Sequence, residues 1–144
     1  MSADRRRWRF EVRVERGKIV ELARSLGARD PGFGTAGDPP STLVAPPTFP
    51  VVVAHWGVAN REQLVELGYD ATRVLHGEER YAYPDGPLEE GERLEGETVV
   101  AEERETDSRS HGRLRIVRFH TELRRAADAT LRVEIDRTVM EVER

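Results

Sequence analysis

The stretch Arg113-Leu114-Arg115-Ile116-Val117-Arg118-Phe119-His120-Thr121-Glu122-Leu123 alternates in side-chain character but changes phase part-way along. Leu114 and Ile116 share one parity, while Val117, Phe119, Thr121 and Leu123 share the other. A period of two belongs to a half-buried strand, and the slip predicts a β-bulge or bend near Ile116. The segment from Leu131 to Val142 behaves alike, with Leu131, Val133 and Ile135 giving way to Met140 and Val142. Long, bent antiparallel strands account for both slips. Two more strand-like stretches precede these, Val74 to Tyr83 and about Arg93 to Glu105. The turns between the four carry suitable residues: Pro84-Asp85-Gly86-Pro87, Glu90-Gly91, and the polar run from Thr106 to Gly112.

Upstream the pattern is mixed. Phe10, Val12 and Val14 alternate with Glu11 and Arg13, a short strand. From Gly17 the period lengthens, with Ile19, Leu22, Ala23 and Leu26 at three- and four-residue spacing and Gly27 as a stop, which predicts a helix of about ten residues. Gly27 to Pro50 is so rich in proline and glycine that no regular element is expected there. Loops this long are usually functional or partly disordered. Val44-Ala45-Pro46-Pro47-Thr48-Phe49-Pro50-Val51-Val52-Val53-Ala54 then turns strongly apolar. It reads either as a helix starting near Thr48, with Pro50 tolerated in the first turn, or as a buried strand. Val58, Leu64, Val65 and Leu67 mark a second short helix closing at Gly68. Helices followed by consecutive strands indicate α+β rather than a parallel sheet. A twisted antiparallel sheet wrapped around one buried helix satisfies the order.

The 144 residues predict one domain over 1–144, with 1–7 a flexible arm and 28–45 the long Pro/Gly loop. Both charge signs are interleaved and the net charge is −4, which argues against a nucleic-acid surface. No apolar run approaches the ~20 residues of a membrane span, and the basic start lacks the apolar region of a signal peptide. The absence of cysteine removes disulfide and thiolate chemistry and fits a reducing compartment. The cytoplasm is the expected location.

The chemistry-bearing motifs are sparse. His55, His76, His111 and His120 include no i, i+4 pair and no His/Glu spacing on a helix that would build a metal site, so no metal is expected. Nucleophile-elbow, P-loop and dinucleotide motifs are absent. The densest polar constellation is Leu75-His76-Gly77-Glu78-Glu79-Arg80-Tyr81. Alternation places His76, Glu78 and Arg80 on one face and Leu75, Tyr81 and Tyr83 on the other. His76 and Glu78 read as an acid–base pair, or as a satisfied strand face at a sheet or dimer contact.

Four segments in register add a resemblance. Phe10-Glu11-Val12 with Gly17-Lys18-Ile19-Val20-Glu21-Leu22-Ala23, Ala45-Pro46-Pro47-Thr48-Phe49-Pro50, Val74-Leu75-His76-Gly77-Glu78 and Gly91-Glu92-Arg93-Leu94 resemble the N-terminal FAS1-like dehydratase branch of the MaoC-like hotdog proteins, over about residues 8 to 142. The resemblance implies a hotdog fold, an antiparallel sheet around a central helix. It implies hydration of enoyl thioesters, or dehydration of (3R)-3-hydroxyacyl thioesters, through a G-D-x-N-P-hydrophobic-H signature whose Asp and His relay a proton. Here the corresponding segment is Gly27-Ala28-Arg29-Asp30-Pro31-Gly32-Phe33. Ala28 stands for the catalytic Asp and Phe33 for the His, and neither carries a proton. Asp30, at the Asn position, either caps a turn or acts.

What the resemblance implies is therefore an auxiliary subunit without catalytic residues of its own. It would pair with a MaoC-like catalytic hotdog subunit or with itself, and hold a CoA or carrier-protein acyl thioester without a further cofactor. By the same implication Pro46, Pro47, Thr48, Phe49, His76 and Gly77 contact the substrate, or Pro46 to Phe49 are ordinary core. Two other readings stay open: a self-sufficient homodimeric hydratase or thioesterase using His76, Glu78 or Asp30, and an acyl-binding or assembly module without turnover.

Overall fold

The computed structural model describes residues 6–52 and 60–142. Its order is β1 (Arg7–Arg13), α1 (Arg16–Ser25), a 3-10 turn (Pro31–Phe33), α2 (Asn60–Glu66), then β2 (Val74–Ala82), β3 (Arg93–Ser108), β4 (Gly112–Arg125) and β5 (Leu131–Val142). All five strands pair antiparallel in one sheet of order β1-β3-β4-β5-β2, so β1 and β2 are its edges.

Alternation gives the sheet two faces. Trp8, Thr98, Thr121 and Ile135 lie in one cross-strand row, and Val117 and Val139 in another, all turned toward the helices. This inner face holds two apolar clusters. Val14, Ile19, Leu43, Ala45, Phe49, Leu88, Leu94, Leu123, Val133 and Ile135 bring α1 and the long loop onto one half of the sheet. Trp8, Leu64, Tyr69, Val117, Phe119 and Val139 bring α2 onto the other. Trp8 meets Phe119 edge-on at 6.0 Å between centroids, and its indole N–H donates to Glu66 Oε2 at 2.8 Å, so one side chain ties β1 to α2. Burying a ring of this kind contributes about 1.5–3 kcal/mol.

Several expectations change. β1 begins at Arg7, because Trp8 is needed as a core residue; this shortens the expected N-terminal arm, of which residues 1–5 lie outside the described residues. The Pro/Gly stretch contains a 3-10 turn, Pro31–Phe33, with Pro31 at its first position and Gly34 (φ 70°) closing it left-handed. Val44 makes an isolated bridge to Glu89. Of the apolar run from Val44, residues 50–52 are helical, which favours the helical reading. Residues 53–59, which include His55 and the start of the second expected helix, lie outside the described residues. β3 runs to Ser108, leaving Arg109, Ser110 and His111 as the hairpin loop before Gly112.

The predicted bulge near Ile116 is not in that strand. β4 pairs continuously with β5 from Leu114 to Leu123, and the extra residue sits in β3, between Val100 and Glu102. The phase slips because the polarity of the faces inverts. At this end of the sheet Arg115 and Glu141 face inward, their ion pair at 3.0 Å, while Ile116 pairs with Met140 on the outer side. The inward pair closes the exit of α2: Arg115 donates to the Gly68 carbonyl, Glu141 accepts from Asp70 N at 2.7 Å, and the guanidinium lies 4.1 Å over the Tyr69 ring.

Candidate functional site

The polar constellation foreseen on β2 forms, but with different members. Gly77 is an extra residue: His76 pairs with Val139 and Glu78 with Thr138, so the register shifts between them. A Cβ at Gly77 would sit 3.1 Å from Met140 Cε and 3.3 Å from the Thr138 carbonyl oxygen, which leaves little room for any other residue. The bulge corrects the face assignment. His76, Glu79 and Tyr81 share the inner face, opposite Val139, Arg137 and Ile135, whereas Glu78 and Arg80 point outward opposite Thr138 and Asp136. The imidazole therefore meets Glu79, not Glu78, with Nε2 3.3 Å from Oε2.

Behind this dyad the site becomes dry. Tyr81 lies beside Glu79 on the same face, and burial, then the Glu79 charge, raise its pKa above the ordinary phenol range. Arg137, 8% exposed, lies opposite Glu79 and Phe119 in the sheet register. One guanidinium nitrogen donates to Gln63 Oε1 at 2.9 Å, the guanidinium carbon stands 4.6 Å over the Phe119 ring, and Nε has no hydrogen-bond partner among the described residues. Burial lowers the pKa of Arg137 below its usual value, partly offset by Glu79. A buried cation without a carboxylate at ion-pair distance costs free energy that the fold must offset elsewhere. Chemically the row offers an exposed imidazole, a carboxylate, a phenol and a buried cationic donor, a proton relay ending at an electrostatic anchor.

The segment Gly27 to Phe33 offers none of this. Ala28 gives only its backbone, N–H to the Ala23 carbonyl at 2.9 Å, and Phe33 packs against the first apolar cluster. Asp30 caps the 3-10 turn: its Oδ1 accepts from Gly32 N at 2.7 Å and its carbonyl oxygen from Thr35 N at 3.2 Å. Of the expected acyl-contacting residues, Pro46 and Phe49 are buried and Pro47 and Thr48 exposed. Phe49 is a fully buried member of the first cluster, and the Tyr83 hydroxyl donates to the Pro47 carbonyl. Burial raises the Tyr83 phenol to about 12.

Glu79, Arg137 and Gln63 were not foreseen. An isolated glycine inside a strand pattern signals a bulge, and reading Gly77 that way would have moved Glu79 onto the face of His76.

The profile of the family described as "FAS1-like, dehydratase domain region" matches residues 7–133. The chain is 31% identical over 94 residues to a UPF0336 protein of Thermobifida fusca, and 39% identical over 95 residues to a UPF0336 protein of Saccharopolyspora erythraea. These matches cover 62% and 60% of this chain and 60% and 56% of the relatives, so the chain spans little more than half the length of the proteins it matches. Among solved structures, a chain of the C-terminally truncated HadBC (3R-hydroxyacyl-ACP dehydratase) complex of Mycobacterium tuberculosis superposes with a TM-score of 0.72 at 21% identity, over 97% of this chain and 99% of that one. A chain of the ChsH1–ChsH2 complex from the same organism gives 0.66 at 16% identity, over 95% and 83%. At such identities the likeness is one of fold.

Proposed function

The chain belongs to the FAS1-like dehydratase family and has the hotdog fold, and on that premise we propose that it is the auxiliary subunit of a (3R)-hydroxyacyl thioester dehydratase. The carrying observation is the turn at Pro31–Phe33. Where the resembled signature would hold a proton-carrying Asp and His, Ala28 and Phe33 offer a methyl group and a core ring, and Asp30 is committed to capping. In this reading residues 1–144 act as one hotdog unit beside a MaoC-like subunit that carries the acid–base pair. This chain contributes acyl-chain binding through the exposed Pro47 and Thr48, beside the buried Pro46 and Phe49, and through His76 and Gly77 at the inner end of β2. The substrate is a CoA or carrier-protein thioester, no further cofactor takes part, and the cytoplasm is the place of action. No described helix is long and apolar enough to cross a membrane.

Two features support a hotdog partner. Both superposed structures are two-component complexes by their names. The two edges of this sheet also differ. On β1, Arg7 and Arg9 are drawn back onto Glu97 of their own sheet, at 2.6 and 2.9 Å. β2 leaves Leu75 half exposed and His76 at the margin, and no described strand pairs with its outer edge, the side where a strand could add.

Hydration of crotonyl-CoA by the purified chain, alone and with a signature-bearing hotdog partner, tests the reading. Turnover is expected only in the mixture, and full activity of the chain alone would overturn it. One observation favours a second reading, a self-sufficient homodimeric hydratase or thioesterase: His76, Glu79 and Tyr81 form a relay on one face. In that case His76→Ala and Glu79→Gln abolish the chain's own turnover while leaving its melting temperature unchanged.

A further inference from the structure

On the outer face of the sheet the register places Glu97 of β3, Glu122 of β4 and Glu134 of β5 side by side in one cross-strand row. Like charges directly opposite one another destabilise a sheet. Two of the three are neutralised: Glu97 by Arg7 and Arg9, and Glu122 by Arg124, whose NH2 and Nε donate to Oε2 at 2.8 and 3.1 Å. The Glu134 side chain makes no hydrogen bond or ion pair among the described residues. In the adjoining row His120 stands opposite Asp136, with Nδ1 2.9 Å from Oδ1, and the other carboxylate oxygen of Asp136 lies 3.5 Å from Arg80.

One ligand atom from each of His120, Glu122 and Glu134 lies within 4.8 Å of the other two, and all three side chains are half-buried. We propose that these residues form a binding site for a divalent cation of the zinc class, stapling β4 to β5. The imidazole is what separates this triad from an ordinary acidic patch. A nitrogen ligand beside two carboxylates favours zinc-class ions over magnesium and calcium, which prefer all-oxygen shells. The outer contacts match what metal sites require. With Asp136 accepting from Nδ1–H, the tautomer the site requires, Nε2 would be the ligand atom, while Arg124 holds one oxygen of Glu122 and leaves the other to coordinate. Three protein ligands leave further positions to water. Spacing along a helix could not have revealed this site, because its ligands are two residues apart on one strand and directly opposite on the next. It lies on the face away from His76 and Arg137, so it stands or falls independently of the proposed function.

Calorimetric titration of the chelator-treated full chain with zinc chloride at neutral pH is the test, with thermal unfolding measured alongside. One-to-one binding and a rise in melting temperature are expected. Glu134→Gln and His120→Gln should each abolish both, Asp136→Asn should weaken binding by about tenfold or more, and Glu97→Gln should change neither. Absence of saturable one-to-one binding overturns the proposal. So does binding that survives Glu134→Gln, or binding lost on substituting His111 while His120→Gln retains it. The Glu134 side chain holds no hydrogen bond or ion pair among the described residues, so that variant reports on the site even if His120→Gln fails to fold.

Discussion

Two arginines of the last strand, Arg132 and Arg137, are almost equally buried, at 3% and 8% exposure, yet they live in opposite electrostatic circumstances. Arg132 is saturated. Its Nε and NH2 meet the two oxygens of Glu92 at 2.7 and 2.8 Å, NH1 meets Asp85 Oδ2 at 2.9 Å, and the carbonyls of Asp85 and Pro87 take further N–H groups. It binds the Pro84–Pro87 turn and the Glu90–Gly91 turn to the start of β5. Among the described residues Arg137 has one amide, one aromatic face and an unpartnered Nε. The comparison separates two uses of a buried charge: one closes the fold, while the other is held dry with hydrogen-bonding capacity unused beside a His–Glu–Tyr row.

The largest expected effect is on the saturated clamp. Arg132→Ala or Glu92→Gln breaks the buried pair, leaving Glu92 the 3.6 Å contact to Arg125 or Arg132 the exposed Asp85, and should lower unfolding free energy by about 3 kcal/mol in urea titrations. Arg137→Leu should instead be neutral or stabilise by about 1–4 kcal/mol, since it removes a desolvated cation that lacks a carboxylate partner. If the inner end of β2 serves the reaction, the same variant depresses activity measured with the catalytic partner. A loss as large as that of Arg132→Ala would erase the distinction between the two sites.

Acid provides a finer comparison. Burial alone would raise the Glu92 pKa, but the hydrogen bonds from Arg132 and from the Glu89 backbone outweigh it and hold the carboxyl below its ordinary value. A depressed folded-state pKa contributes stability that is fully present above the unfolded value of about 4.3 and is lost as pH falls through the folded value. Wild-type stability should therefore decline below about pH 4, and Glu92→Gln should show a shallower decline. The smallest effect belongs to Asp30. Its replacement by Ala removes a cap worth about 1 kcal/mol and should leave partner-dependent turnover unchanged.

Most elements were legible in the sequence because their periods are set by burial. α1 shows its spacing at Ile19 and Ala23, and β2 to β5 their alternation. Less legible was where a polar residue occupies an inward position. Arg137 is in phase with Val133, Ile135 and Val139, and Arg115 and Glu141 occupy inner positions that alternation assigns to apolar groups. There the pattern registers a change of phase although the backbone runs straight. The candidate site was half legible: His76 stood out, but its partner depends on one inserted residue. Arg137 and Gln63 meet only through packing between β5 and α2, which no local spacing encodes.

That inserted residue gives β2 two reading frames. Upstream of Gly77 the side chains of Leu75 and His76 follow one frame, and downstream of it Glu79 and Tyr81 follow another. Gly77 acts like a frameshift written in side-chain directions, because it adds a residue to β2 with no added partner on β5. Removing it would merge the two frames rather than flip one: His76 would still stand opposite Val139 and Glu78 opposite Thr138, and the strand would lose only the bend that Gly77 gives it.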